Sequence, residues 1–220
     1  REGRFGKKGE PKSLVPFAAS SIPLVTLGTF FLWFGWFGFN GFSQLAMGTF
    51  DDVTAITKIA VNTHLAGAAG VVTGAAVTRL LDKKTDVVMM LNGALAGLVA
   101  ITAEPLNPTP GLAIVIGSIG SLIMYFGTKF LERKGLDDVV GAIPVHMFAG
   151  IFGTLIVPFT NVDTSFGTQF TGVLAVCSFS FVLSFIIFKT LKATVGLRIS
   201  KEAEKLGTDV AEIGVRAYAI

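Results

Sequence analysis

Six apolar stretches, each near the length needed to cross a bilayer, constrain the fold of this chain more than any other feature. A transmembrane helix needs roughly 20 mainly apolar residues. The stretches lie at about 20–44, 54–80, 86–103, 109–131, 138–158 and 168–192. Hydrophobic residues make up 51% of the chain, charged residues only 15%, and the mean hydropathy is +0.68. We therefore predict an all-α polytopic membrane protein, a bundle of about six transmembrane helices.

Positive charges are distributed so that they predict the orientation of these helices. All but Lys58 of the 18 lysines and arginines lie on one side of a six-helix arrangement: before the first stretch, or at or beyond the ends of the second, fourth and sixth stretches. Cytoplasmic loops of membrane proteins carry such an excess. We expect both ends to be cytoplasmic, with a membrane domain at 1–198 and a cytoplasmic tail at 199–220, which is partly helical from Ser200 to Glu204. The net charge of +3 then reflects orientation and gives no support for nucleic-acid binding.

The sequence offers no pattern of an enzyme or a metal site. The basic segment that begins at Arg1 lacks the apolar stretch of a signal peptide, and we expect the chain to be the C-terminal part of a longer membrane protein. The two histidines lack the spacing of a metal pair, and the single cysteine, Cys177, has no partner for an internal disulfide. No phosphate loop, nucleophile elbow or paired carboxylates occur in the stretches. We predict neither enzyme activity nor a cofactor.

An aromatic run covers 30–42 in the first stretch, with Gly35, Gly38 and Gly41 at every third position. Residues three and four positions apart are neighbours on a helix, so four other residues fall near one face: Trp36, Phe39, Asn40 and Ser43. Ring surfaces and a hydroxyl inside an apolar span can hold a small cation. The glycines let another helix approach closely, as do the small residues of the second and third stretches. An aromatic belt at the membrane interface is the alternative.

His146 is the second landmark, about eight residues into the fifth stretch and two after Pro144. The proline removes a backbone hydrogen bond and loosens the helix, and Gly150 and Gly153 share the face of the histidine. An ionisable side chain at this depth usually faces a cavity or the bundle interior. Desolvation favours a neutral imidazole, which can exchange hydrogen bonds or relay a proton. A pore histidine and a hydrogen-bonded core histidine both remain open.

Three further polar positions predict structural roles. Asp137 and Asp138 lie where a cytoplasmic helix begins, so we expect them to cap its free N–H groups. His64 follows Asn62 and Thr63 in the second stretch. We expect these neighbours to supply hydrogen-bond partners for a packing histidine.

Five segments together resemble the ammonium transporter (Amt/Mep) family. They are 32–40 (LWFGWFGFN), Asn62-Thr63 with 66–70, 92–102 (NGALAGLVAIT), Asp137-Asp138 followed by Pro144-Val145-His146 and 149–155, and the tail from 196–198 through 217–218. They occur in family order over nearly the whole chain, which is more specific than any one motif.

The resemblance implies an eleven-span protomer in a homotrimer, one pore per protomer, of which this chain is the second inverted repeat plus the last span. His146 matches the second of two facing pore histidines. Trp36 matches a pore-lining tryptophan, Phe39 one of two stacked phenylalanines at the external gate, and Ser43 a hydroxyl at the outer ammonium site. The implied function is passage of ammonium or ammonia across the plasma or inner membrane, with a PII-type regulatory protein at the cytoplasmic face.

Five positions depart from the family pattern, among them His64, which is unusual at its place. Phe42 stands where Gly or Ala is usual, and Met147 where Gly follows the histidine. Ile213 and Val215 replace the usual His and Glu, which puts contacts of the tail and of the PII-type protein in question. A non-conducting ammonium receptor of the same family is therefore the alternative to a transporter.

Overall fold

The chain folds into helices joined by short loops. The computed structural model describes residues 19–217, a range without β-strands, so the predicted basic segment before the first stretch lies outside the described residues. Seven α-helices in this range are numbered in chain order: α1 Ile22–Gly41, α2 Phe50–Val77, α3 Val87–Thr102, α4 Pro110–Lys134, α5 Ala149–Ile156, α6 Phe166–Thr194 and α7 Lys201–Leu206. Short turns adjoin them: 3₁₀ at Phe42–Gln44 and Val157–Phe159, and π-helical at Thr78–Asp82, Ile143–Phe148 and Asp209–Ile213. The all-α prediction is confirmed.

Each of the six predicted stretches contains helix. Among the described residues, four segments are long and apolar enough to cross a membrane: Ile22–Gln44, Phe50–Asp82, Pro110–Lys134 and Phe166–Thr194. Two apolar segments, Val87–Thr102 and Ile143–Phe159, are shorter. The 16 residues of α3 reach about 24 Å, less than the hydrocarbon layer of about 30 Å. Because α3 packs against α2, α4 and α5, protein surrounds much of it, and a full lipid-facing length is not required.

Polar side chains fix where the first four helices begin. The residues before α1, α2, α3 and α4 each accept a hydrogen bond from the backbone N–H three positions later: Ser21, Thr49, Asp86 and Thr109. At α2 the cap is reciprocal, because Asp52 accepts a hydrogen bond from the backbone N–H of Thr49. Such caps satisfy N–H groups that have no partner within the helix.

Small residues bring α2, α3 and α4 to backbone contact. A Cβ atom added to Gly70 of α2 would lie 2.1 Å from the carbonyl oxygen of Gly93 in α3. One added to Gly117 of α4 would lie 2.2 Å from the carbonyl oxygen of Ala66 in α2. Ser121 of α4 donates a buried hydrogen bond of 2.9 Å to the carbonyl oxygen of Gly70. The tight packing predicted for the second and third stretches is therefore present.

The fifth stretch begins with an irregular turn. Both carboxylate oxygens of Asp138 accept backbone hydrogen bonds, from Ala142 at 2.9 Å and Ile143 at 2.8 Å. The predicted capping role of Asp138 is confirmed. Pro144 has no N–H to donate and is the second residue of the π-helical turn Ile143–Phe148. The segment therefore begins at Ile143, whereas the predicted stretch begins at about 138.

Internal contacts divide the chain into two compact units, with the boundary after Val173, within α6. The first contains α1 to α5. The second contains most of α6, which has no buried residue, together with α7 and the last π turn. Its α7 begins at Ser200, as predicted, where the hydroxyl accepts a hydrogen bond of 3.1 Å from the N–H of Ala203.

Two carboxylates of the second unit are held by hydrogen bonds. The Arg198 guanidinium donates a hydrogen bond of 2.9 Å to Glu204. This bond is the main reason that the pKa of Glu204 is lowered to about 2. The backbone N–H of Ala217 donates to Asp209 at 2.9 Å and is the main cause that lowers the pKa of that carboxyl.

Candidate cation site

Trp36 is fixed between α1 and α3 by a hydrogen bond that the sequence does not reveal. Its indole Nε1 donates to the hydroxyl oxygen of Thr102 at 2.7 Å. The Thr102 hydroxyl in turn donates to the carbonyl oxygen of Leu98 at 2.7 Å. The Trp36 and Phe39 ring centroids are 6.1 Å apart at an angle of 60°. The chain thus holds the half-buried indole rigidly beside the Phe39 ring.

Phe39 and Ser43 lie on an open face of the first unit. They line a depression of about 520 Å³ together with Gly35, Gly38, Phe42 and Leu45. Ser43 donates its hydroxyl hydrogen to the carbonyl oxygen of Phe39 at 2.9 Å. With its hydrogen used, the exposed Ser43 oxygen presents lone pairs to the depression. Oxygen lone pairs beside aromatic rings can accept hydrogen bonds from a small N–H-bearing cation and attract its charge.

Asn40 does not share this open face. Its side chain is 1% exposed, and its Nδ2 donates to the hydroxyl oxygen of Thr63 in α2 at 3.0 Å. Phe39, next in sequence, is 65% exposed. The four residues that the helical spacing grouped are therefore divided: Trp36 faces α3, Asn40 faces α2, and Phe39 and Ser43 face outward. Thr63 and Thr102 both lie in segments of the family resemblance, but their partners Asn40 and Trp36 were not predicted.

His146 lies in the π-helical turn near the start of the fifth predicted stretch, and its side chain is exposed among the described residues. Gly153, which the α-helical pattern placed on the same face, packs against α3 instead: an added Cβ would lie 2.4 Å from the carbonyl oxygen of Ala100. A π turn contains more residues than an α turn, so it rotates His146 relative to the glycines that follow. The histidine is left on the surface while the glycines pack inward.

His64 packs against aromatic rings of α1. Its ring centroid is 5.5 Å from that of Trp33 and 6.2 Å from that of Phe37. The neighbours expected to bond it are engaged elsewhere, since Asn62 donates to the carbonyl oxygens of Pro105 and Pro108 at 2.9 and 2.8 Å. His64 is therefore an exposed residue with ring contacts to α1, and not the hydrogen-bonded packing histidine that was predicted.

Gly35 and Gly38 of α1 differ from the glycines at which α2, α3 and α4 meet. Among the described residues, no atom lies within 4 Å of a Cβ added to Gly35, and only the Phe42 ring meets one added to Gly38. The predicted close approach of another helix at these two glycines is thus not made by the described part of this chain.

Comparison with known proteins places this helical membrane protein in a family. Residues 1–218 match the model of the Ammonium Transporter Family. Ammonium transporter Amt2 of Archaeoglobus fulgidus is 41% identical over 99% of this chain and 49% of its own length. The solved structure called Sensor Amt Protein has a TM-score of 0.84 and 35% identity, covering 95% of this chain and 53% of that one. The structure of Candida albicans Mep2 has a TM-score of 0.78 and 27% identity, covering 96% and 49%.

The chain belongs to the ammonium transporter family, and it spans about half the length of the curated relatives it matches. The resemblance stated from its five segments is confirmed, as is an integral membrane protein of the family's helical fold. The family consists of transporters, which supports the prediction that the chain is not an enzyme.

Proposed function

We propose that this chain is the second half of a protein that passes ammonium or ammonia across a membrane. The observation that carries the proposal is the depression beside Phe39 and Ser43, which joins oxygen lone pairs to an aromatic ring at the end of α1. Family membership supplies the substrate class. In this proposal Trp36, Phe39 and Ser43 belong to the outer site, and Asn40 supports it from behind by holding α1 against α2.

His146 forms the next step of the path in this proposal. Its side chain is exposed on the same unit as the depression, so the rest of the protein has access to it. A neutral imidazole accepts or donates one hydrogen bond at each nitrogen. In this proposal a proton passes between His146 and a second histidine, which comes from outside this chain. Ammonium can give up a proton and potassium cannot, so the relay excludes potassium although the two ions have the same charge and similar size.

The test replaces His146 in the full-length protein. In proteoliposomes, His146→Ala should abolish proton-coupled ammonium current or admit potassium, while the protein stays assembled. His64→Ala is the matched control, because its ring contacts lie against α1, and it should affect stability more than selectivity. Normal current together with full potassium exclusion in His146→Ala contradicts the relay.

The proposed orientation of the chain follows from its charges, and its proposed assembly and partner follow from the family. We propose that the protein lies in the plasma or inner membrane as a homotrimer, with both ends of this chain cytoplasmic and the segment 199–220 available to a PII-type protein. In a cysteine-free background, a cysteine that replaces Lys134 should react with an impermeant thiol reagent only after the membrane is permeabilised. Reaction in intact cells overturns this orientation.

A non-conducting ammonium sensor is the second candidate. The likeness to the solved Sensor Amt Protein favours it. So does Phe42, a bulky residue at the depression where the family usually has Gly or Ala. A sensor binds ammonium with His146 intact yet gives no ammonium flux in liposomes, whereas the transporter gives both.

A further inference from the structure

Asn92 of α3 holds the chain just before the turn that carries His146. Its half-buried side chain donates a hydrogen bond of 3.0 Å from Nδ2 to the carbonyl oxygen of Val140. The two residues are 48 positions apart in sequence, so the bond joins α3 to the loop that precedes the π-helical turn Ile143–Phe148. Asn92 therefore fixes the peptide group between Val140 and Gly141 relative to α3.

Gly141 is shaped to receive this amide. Its φ is 73°, in the left-handed region that glycine adopts without a steric penalty. A Cβ added to Gly141 would lie 2.9 Å from Nδ2 of Asn92, which is closer than the two atoms can approach without a shift. Glycine thus meets two requirements at once, the backbone conformation of the loop and the close approach of the Asn92 side chain.

A second hydrogen bond connects Gly141 to the turn itself. The backbone N–H of Val145 donates to the carbonyl oxygen of Gly141 at 3.1 Å. Val145 is the residue before His146, is 2% exposed, and packs in one cluster with Ala96 of α3 and Tyr125 of α4. The backbone of the turn is therefore fixed by this bond and by the packing of Val145, while the neighbouring His146 side chain is exposed.

We propose that Asn92 is a positioning residue for His146, because through Val140 and Gly141 it sets where the imidazole stands relative to α3. The inference rests on the proposed function and adds a residue that no other step of it uses. A proton relay needs its two groups within hydrogen-bond reach, about 2.6–3.2 Å between heavy atoms. Movement of the loop at Val140 moves the backbone that carries the imidazole, and so weakens the relay without removing the histidine.

The alternative is that Asn92 only stabilises the fold, and Asn62 is an example of that role. Its Nδ2 also donates to backbone carbonyl oxygens, those of Pro105 and Pro108, at 2.9 and 2.8 Å. These two prolines lie in the loop between α3 and α4, which carries no residue of the proposed path. Loss of the Asn62 bonds should therefore lower stability alone, whereas loss of the Asn92 bond should also change selectivity.

The experiment measures ammonium and potassium currents in proteoliposomes that contain the full-length protein, together with its unfolding temperature. The variants are Asn92→Ala and Asn92→Asp, of which the second keeps the shape of the side chain but has no N–H to donate to Val140. Asn62→Ala is the matched control. Asn92→Ala is also combined with His146→Ala, because residues that act through one another have non-additive effects.

Asn92→Ala and Asn92→Asp should each lower the ratio of ammonium to potassium current about fivefold, which corresponds to the loss of one neutral hydrogen bond. Asn62→Ala should lower the unfolding temperature and leave the ratio unchanged. In the His146→Ala background, Asn92→Ala should change neither current further.

The inference and the proposed function fail in different ways. An unchanged ratio in both Asn92 variants, loss of the assembled protein in both, or a further change in the His146→Ala background overturns the inference and leaves the proposed function standing. Wild-type currents in His146→Ala alone overturn the relay, and the inference with it.

Discussion

Gly35 and Gly38 of α1 differ in their surroundings from the glycines at which α2, α3 and α4 meet. In the α2–α3–α4 core, an added Cβ at Gly70 would lie 2.1 Å from a backbone oxygen. On α1, Gly35 meets nothing within 4 Å among the described residues. The core glycines thus meet other helices of this chain. The face of α1 is left open, and it carries the depression and the exposed Ser43.

The difference teaches that a small residue in a membrane helix predicts a close contact but not the partner. Interhelical packing of small residues and hydrogen bonds between helices stabilise membrane bundles. The first unit uses both in the core, where Ser121 bonds Gly70. On α1, Gly35 and Gly38 instead line the depression.

The largest effect should come from filling the core. Gly70→Ala should lower the stability of the full-length protein by about 3 kcal/mol, because overpacking against a fixed backbone cannot relax easily. Gly35→Ala should be neutral or slightly stabilising, since alanine is the better helix former and meets no atom. Thermal unfolding in detergent measures both. Equal stabilities for the two variants would break the comparison between core and open face.

An effect of intermediate size on stability should distinguish Asn40, which is buried, from Ser43, which is exposed. Asn40→Ala removes the buried bond to Thr63 and should cost about 2 kcal/mol of stability. Ser43→Ala touches an exposed hydroxyl and should change stability by less than about 0.5 kcal/mol, yet weaken ammonium binding about tenfold through a lost acceptor. Unfolding curves with and without ammonium measure both quantities. If Asn40→Ala lost binding at full stability, Asn40 would belong to the site itself.

The smallest effect should come from the tail and should depend on pH. The pKa of Glu204 is lowered from 4.5 to about 2, so its bond with Arg198 stabilises the tail fully above pH 4.5. This contribution is lost as the pH falls toward 2, when the carboxyl becomes protonated. Proteolysis of the tail by an acid-active protease should be faster in Glu204→Gln than in the wild-type protein at pH 5. The two rates should converge near pH 2, and a constant difference contradicts the assignment.

Helix α1 shows most clearly which features of the fold the sequence alone could predict. Hydrophobic length and helical spacing predicted the helix and the neighbouring positions of Trp36 and Phe39. They could not predict which neighbouring helix the Asn40 side chain contacts, because residues three and four positions apart only approximately share a face. The bond to Thr63, 23 residues away, settles it. Trp36 and Thr102, 66 residues apart, are likewise joined by packing between helices that no local pattern encodes.

Local chemistry determined what the chain could be. The six apolar stretches predict helices because a backbone in lipid must satisfy its own hydrogen bonds. The polar residues that precede four helices fix where they begin, and Asp138 with Pro144 marks an irregular start for the fifth. Only the tertiary structure decided which small faces are filled and which polar groups are exposed. The contacts of Gly70 with Gly93 and of Asn40 with Thr63 join different helices, and sequence periodicity does not record which helices meet.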